Sequence, residues 1–310
     1  MNPLVSVVMA THNRAHLVPS AVSSILNQSY QNIELIIIDD ASTDNTKMVL
    51  EEICARDARV KLICSTTNVG PGKARNLGVS CAEGEYVAIM DDDDYAVPER
   101  IERQYKAFQM NPDVQLVFSS VIWIDSEGRK VGSFPGIVEK GNFPEPPDKI
   151  FELLYLESSK IPNPTVMIRS EVIRANEYPE FPWGVEDWYW LLRLAALGFK
   201  MKAISEPLVL MNRDVNHKKF TDRSDQSFKR QEQVLKEMVG WLKDNNITRF
   251  DHLRRRAASN LFMRRAQHGG WKGLLYLTKS FFLCPDYSAA KKILHQKYIA
   301  RLKSKLFKTS

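Results

Sequence analysis

Short apolar runs with strand-type composition alternate with segments of helical periodicity through the first hundred residues, and this alternation restricts the fold more than any other feature. The apolar runs are residues 5–9, 35–38, 60–64 and 86–90. Strands that alternate with helices form a parallel sheet with right-handed crossovers, and continuously apolar strands have both faces covered. The sequence therefore predicts an α/β fold with a mainly parallel central sheet flanked by helices.

Polar clusters follow three of these runs. The first is the THNR sequence at 11–14, the second is the pair Asp39 and Asp40, and the third is the aspartate run at 91–94. Ligands of open parallel sheets bind beyond the carboxyl ends of the strands. We therefore expect all three clusters to converge on one crevice.

The aspartate run at 91–94 is the most informative of these clusters. Four adjacent carboxylates repel one another, and a divalent cation relieves the repulsion; hard oxygen ligands suit Mg²⁺ or Mn²⁺. A capping cluster for the helix at Pro98 is the alternative, but it would need one acid rather than four. Asp39 and Asp40 are less decisive, because binding of a nucleotide and capping of the next helix explain them equally well.

Three segments resemble glycosyltransferase family 2, whose members are inverting enzymes of the GT-A fold: SVVMATHNR, NIELIIIDDASTDNT and NVGPGKARNLGVSCAEGEYVAIMDDDDYAVPERI. A weaker match, PTVMIRSEVI followed by GVEDWYWLLRLAALG, extends the resemblance to about residue 211. The expected organisation is a nucleotide-sugar-binding half at 1–97, an acceptor-binding half at 98–222 and a C-terminal α-helical region at 223–310.

The resemblance also implies roles for single residues. Asp93 matches the direct metal ligand, for Mn²⁺ or Mg²⁺. Family members usually carry a small residue between the two acids of this motif, whereas this chain has Asp92, so the choice of metal-binding acids stays open. The residues implied to bind the donor are Ala10, Thr11, His12, Asn13, Asp40, Lys73, Arg75, Asn76, Asp91 and Asp92.

Glu186 and Asp187 match the catalytic acid pair of the family, in which the aspartate is the general base. An inverting displacement needs a base on the face opposite the departing diphosphate. The alternative for Asp187 is an acid favoured by the dipole at a helix N-terminus. Trp183, Trp188 and Trp190 suit stacking on a sugar face, although helical spacing predicts that at least one of the last two is core.

The predicted reaction is transfer of a sugar from a nucleotide diphosphate donor, a UDP-sugar being the first expectation, to a hydroxyl of a glycan or lipid-linked acceptor. A nucleotidyltransferase of similar fold is one alternative, but THNRAHL lacks the glycine-rich basic loop that it would need. A nucleotide-sugar-binding or scaffold protein without catalysis is another, and the presence of Asp93 and Asp187 argues against it.

The basic residues are concentrated near the C-terminus, where residues 291–308 contain no acid. Peripheral membrane contact through C-terminal basic helices is our hypothesis, and a solvated helical face is the alternative. Nucleic acid is not expected as a partner, because aromatic residues are not interleaved with the basic ones. The four cysteines are scattered without Cys-x-x-Cys spacing, which favours a reducing compartment. The N-terminal sequence lacks a signal-peptide pattern. Both features predict a cytoplasmic location, at most peripheral to the inner face of the membrane.

Overall fold

The computed structural model describes residues 2–134, 147–157, 161–181, 184–213 and 225–266. The described residues form two compact units. The first unit contains those up to 151 together with 161–213, and the second contains 152–157 together with 225–266. The predicted half at 1–97 lies within the first unit, whereas the predicted half at 98–222 contributes residues 152–157 to the second. The predicted boundaries at 97 and 222 stay predictions.

Nine strands of the first unit form one sheet within the described residues. They are β1 (Val5–Thr11), β2 (Ile33–Asp39), β3 (Val60–Cys64), β4 (Tyr86–Asp91), β5 (Tyr95–Ala96), β6 (Leu116–Ile124), β7 (Lys130–Phe134), β8 (Met167–Arg169) and β9 (Met201–Asn212). Their order is β3-β2-β1-β4-β8-β6-β9-β5, with β7 paired to β6. Pairing is parallel from β3 to β4 and between β6 and β9, while β8 runs antiparallel to β4 and β6. This arrangement confirms the predicted α/β class.

Seven helices begin in the first unit, counted over its described residues. They are α1 (Val18–Leu26), α2 (Thr46–Arg56), α3 (Pro71–Ser80), α4 (Arg100–Met110), α5 (Pro147–Glu157), α6 (Ser170–Ala175) and α7 (Glu186–Ala196). Helix α3 packs very closely on the sheet at Gly78, where a β-carbon would lie 2.6 Å from Val8 Cγ1 and 3.3 Å from Ile38 Cγ1. This contact requires glycine, and it brings α3 down onto β1 and β2.

The core of the first unit lies on both sides of β1, β2 and β4. All seven residues of β2 are buried, including the charged Glu34. Val7 and Met9 of β1 belong to the same core cluster as Val22 and Ile25 of α1. Burial of one aliphatic side chain contributes about 1.5–3 kcal/mol, so these strands are held firmly. The polar residues at their carboxyl ends therefore stand on a rigid base.

The structure corrects the sequence-based elements in four places. The sequence predicts a short strand at 208–211, whereas β9 begins at Met201 and pairs with β6 through irregular register. Apolar and polar residues are mixed in its first half, MKAISE, so no continuous apolar run marks the strand. The predicted strand at 164–168 begins instead as a 3₁₀ turn, Asn163–Thr165. The short elements β5 and α6 are not predicted, because so few residues carry no periodic signal.

The second unit contains the end of α5, then α8 (Asp225–Asp244), a 3₁₀ turn (Asp251–Leu253) and α9 (Arg254–Ala266). Val234, Met238 and Leu242 are buried along one face of α8 at four-residue spacing. The described part of the predicted C-terminal extension is therefore helical. Among the described helices, none combines the length and the apolar character needed to cross a bilayer. The basic segment at 291–308 lies outside the described residues.

Candidate active site

The three polar clusters meet at one edge of the sheet. In the parallel register Thr11 lies opposite Asp39, and Ala10 lies opposite Asp91. Because β2, β1 and β4 are adjacent and parallel, their carboxyl ends form a single edge. The predicted convergence of the three clusters is confirmed.

Asp40 joins this edge to the loop in front of α3. Its two carboxylate oxygens accept hydrogen bonds from the backbone N–H groups of Val69 and Gly70, each at 2.8 Å. Gly70 has a φ of +87°, a conformation that favours glycine. The Asp40 carbonyl oxygen lies 2.8 Å from Nδ1 of His12. Asp40 therefore holds the loop, and its implied role toward the base stays a prediction.

Asn13 fastens the loop after β1 to the loop after β2. It has a φ of +55°, in the left-handed region that asparagine tolerates. Its Oδ1 accepts hydrogen bonds from the backbone N–H groups of Thr43 at 2.8 Å and Asp44 at 3.3 Å. Its own N–H donates to Ser42 Oγ at 2.9 Å. The exposed ring of His12 is thereby presented on a fixed loop.

Three acids of the run converge and one turns away. Carboxylate oxygens of Asp91, Asp93 and Asp94 lie within 4.8 Å of one another, and we call these three residues the acidic cluster. Asp92 lies instead beside Arg14, with 4.0 Å between Oδ1 and Nε. Burial and the neighbouring Asp93 charge raise the pKa of Asp92 to about 7. Clustered carboxylate oxygens are the donor set that Mg²⁺ and Mn²⁺ prefer, so the acidic cluster fits such an ion.

Asp94 is the member of the acidic cluster to which the sequence analysis gave no individual role. It is fully buried, and its Oδ1 accepts a hydrogen bond from the backbone N–H of Asn212 at 2.9 Å. The two-residue strand β5 follows it directly and pairs antiparallel with β9. This pairing turns Asp94 inward. No local pattern distinguishes it from the other three acids of the run.

Arg75 connects the acidic cluster to the start of α7. Its Nη2 donates to Asp91 Oδ1 at 3.0 Å, and its Nη1 donates to Glu186 Oε1 at 3.2 Å. Its guanidinium lies 5.5 Å from the ring centroid of Tyr178. Burial alone would lower the pKa of Arg75, but the neighbouring Asp91 and Glu186 charges outweigh it and raise that pKa. Arg75 is thus a permanently charged bridge between two acids.

Glu186 and Asp187 lie side by side in the first turn of α7. The second oxygen of Glu186 accepts hydrogen bonds from the backbone N–H groups of Gly184 at 2.7 Å and Val185 at 3.1 Å. Asp187 Oδ1 accepts one from the Trp188 N–H at 2.7 Å. Burial and the adjacent Glu186 charge raise the pKa of Asp187. Such a shift suits a general base that works near neutral pH.

The family model for "Glycosyl transferase family 2" matches residues 6–168, more than half of the 310-residue chain. The chain belongs to glycosyl transferase family 2. An uncharacterised glycosyltransferase of Methanocaldococcus jannaschii is 33% identical over 217 residues, which cover 68% of this chain and 72% of that relative. An uncharacterised glycosyltransferase of Haemophilus influenzae is 33% identical over 57% of this chain and 66% of its own length. The family match and the identity to these relatives show that the chain is a glycosyltransferase.

Solved structures of similar shape support the fold of this glycosyltransferase. S. aureus TarS in complex with UDP-GlcNAc has a TM-score of 0.61 at 17% identity, covering 94% of this chain and 91% of that one. The mannosyltransferase PcManGT from Pyrobaculum calidifontis, in complex with GDP-Man and Mn²⁺, has a TM-score of 0.57 at 19% identity, covering 100% and 89%. At these identities the likeness shows the fold alone, and it confirms the GT-A fold.

Two donor-site candidates of this glycosyltransferase contact the segment after α6. Lys73 Nζ lies 2.8 Å from Glu180 Oε1 in an exposed ion pair. Asn76 donates to the Tyr178 carbonyl at 2.8 Å and accepts from its N–H at 2.9 Å. These contacts hold the segment against α3. The implied donor roles of Lys73 and Asn76 stay predictions.

The described tryptophans of α7 belong to the core. Trp188 and Trp190 are both buried, which agrees with the prediction that at least one of them is core. The ring of Trp190 stacks on Tyr178 with 4.3 Å between centroids, and its Nε1 donates to the Asn176 carbonyl at 2.6 Å. Both side chains therefore support the site from behind. Trp183 lies outside the described residues.

Proposed function

We propose that this glycosyltransferase moves a sugar from a nucleotide diphosphate donor to an acceptor hydroxyl with inversion, using Asp187 as general base and a divalent metal at the acidic cluster. The observation that carries the proposal is the Arg75 bridge, because one buried guanidinium contacts both Asp91 and Glu186. This bridge holds a site for a leaving diphosphate in fixed relation to a base. A binding protein without catalysis has no need of that relation.

The donor would lie along the edge formed by β1, β2 and β4. Asp40, His12 and Asn13 belong to the loops that would surround the base, and Asp92 would contact ribose or donor sugar. The donors in the similar structures, UDP-GlcNAc and GDP-Man, support a nucleotide-sugar. A UDP-sugar is our first choice.

Asp91, Asp93 and Asp94 would hold Mn²⁺ or Mg²⁺. When bound, the cation neutralises charge that develops on the departing diphosphate. The 4.8 Å grouping of their carboxylate oxygens supports this assignment, as does the Mn²⁺ in the similar mannosyltransferase. Asp91 would also accept the Arg75 hydrogen bond throughout, since that bond uses only one of its oxygens.

Asp187 would take the proton of the acceptor hydroxyl as that oxygen attacks the sugar. Inversion requires attack from the face opposite the diphosphate, and the start of α7 lies across the Arg75 bridge from the acidic cluster. Glu186 would be a positioning residue, because Arg75 and two backbone N–H groups occupy its carboxylate. The acceptor would be a glycan or a lipid-linked glycan, with the basic C-terminal segment on the inner face of the membrane.

The decisive experiment is turnover of nucleotide-sugars by wild-type protein and by D187N, with Mn²⁺ present. Loss of a general base lowers the rate about 10²–10⁴-fold, while calorimetry should find nucleotide diphosphate binding unchanged. D113N is the matched control, because Asp113 forms an exposed ion pair with Lys200. Equal turnover by D187N and D113N would remove the base assignment. Nucleotide binding without turnover of any donor would favour the non-catalytic alternative.

A further inference from the structure

Arg100, the first residue of α4, is fully buried and makes only neutral contacts. Its guanidinium donates to Gln104 Oε1 at 3.1 Å, to the Ile89 carbonyl at 2.8 Å and to Met90 Sδ at 3.1 Å. A longer contact of 3.5 Å reaches the Val166 carbonyl. Within the described ranges, no carboxylate lies within 4.0 Å of it. A buried positive charge is therefore held by groups that do not neutralise it.

Such a charge is costly to bury, so its retention requires a reason. Burial lowers the pKa of Arg100 to about 9, and the charges of Asp91 and Asp94 oppose that shift. The contacts with Ile89 and Met90 place the guanidinium against the last two residues before Asp91. Arg100 therefore lies against the end of β4, from which the acidic cluster begins. The charges that act on it are those of proposed metal ligands.

We propose that Arg100 is a positioning residue that supplies an internal counter-charge to the acidic cluster and thereby limits its affinity for divalent cations. This inference rests on the proposed metal site. Without a cation, the positive charge offsets repulsion among Asp91, Asp93 and Asp94. With one, the same charge repels the ion and keeps it exchangeable. Arg75 cannot do this alone, because its charge is already shared between Asp91 and Glu186.

The test is Mn²⁺ binding by calorimetry to the full-length protein. R100M removes the charge at similar volume, whereas R100K retains the charge and loses most of the hydrogen bonds. We expect R100M to bind Mn²⁺ about tenfold more tightly or better, and R100K to stay near wild type. R169M is the matched control, since the Arg169 guanidinium also donates to backbone carbonyls, those of Val114 and Pro112. Its Mn²⁺ affinity should equal that of wild type.

M90E provides a second route that leaves Arg100 in place. Met90 Sδ already contacts the guanidinium, so a carboxylate there would neutralise it. M90E should tighten Mn²⁺ binding as R100M does, so it tests the same prediction even if R100M fails to fold. Unchanged affinity in R100M or M90E would overturn the counter-charge, as would R100K behaving like R100M. A wild-type protein that binds no Mn²⁺ would instead overturn the metal site itself.

Discussion

The proposed donor side and the proposed acceptor side of the site are held by different kinds of contact. On the donor side, Asp40 and Asn13 bond backbone groups of neighbouring loops at the ends of adjacent parallel strands. On the acceptor side, Glu186 is held across the site by Arg75, which lies 111 residues earlier in the chain. The first arrangement follows from the parallel pairing of the strands, which brings their carboxyl ends to one edge of the sheet. The second depends on one buried ion contact, so we expect it to be the more fragile.

The largest effect should come from R75M. It leaves the buried Glu186 carboxylate without its cation, and breaking a buried ion pair in this way costs about 3–5 kcal/mol of unfolding free energy. Turnover should fall as well, because α7 loses its tie to the acidic cluster. Urea unfolding and activity measure the two effects. R59M is the control: Arg59 pairs with Asp57 near the surface, and such pairs contribute about 0–1 kcal/mol. Equal losses in R75M and R59M would contradict the comparison.

A second prediction separates neighbouring acids on the donor side. D94N should weaken Mn²⁺ binding at least about 10–100-fold, as loss of even an outer-shell partner does. D92N should change it far less, because Asp92 lies toward Arg14. D94N can still accept the hydrogen bond from Asn212, so its fold should persist. Calorimetric titration checks both variants. A loss in D92N as large as in D94N would refute the assignment of the acidic cluster.

A third prediction concerns stability and pH. The pKa of Asp187 is raised in the folded state, so folding favours its protonated form, and stability is lost as pH rises above the ordinary aspartate range of about 3.9. D187N removes that loss. Its melting temperature should exceed that of wild type by roughly 2–4 °C at alkaline pH and match it in acid. The pH profile of wild-type turnover should show the same raised pKa: on the acid side, activity should fall at a higher pH than an ordinary aspartate would give.

D57N is the control of opposite sign. The hydrogen bonds from Arg59 lower the pKa of Asp57, so this carboxylate contributes stability above its ordinary range and loses it as pH falls. D57N should therefore lower the melting temperature at alkaline pH, where D187N raises it. If both variants moved the melting temperature in the same direction, the raised pKa of Asp187 would be wrong.

Much of the donor side could be predicted from sequence, because its signals are local. Apolar runs mark the strands, and a general rule about parallel sheets brings their polar ends together. The orientation of the aspartate run could not be predicted. Asp94 turns inward because β5 pairs with β9 and Asn212 donates to it from 118 residues away. The burial of Arg100 and the Arg75 bridge also arise from contacts between distant segments, which leave no periodic pattern.

The last prediction concerns the donor-side loop and sharpens the contrast with Arg75. N13A removes the side-chain oxygen that accepts hydrogen bonds from two backbone N–H groups. It also places alanine, which has a β-carbon but no polar group, at a φ of +55°. It should cost about 1–3 kcal/mol. N13G loses the same acceptor, but glycine adopts this conformation freely, so the cost should be smaller. Urea unfolding of the two variants measures the difference. If N13A destabilised the protein as much as R75M, the donor side would depend on one contact as strongly as the acceptor side does.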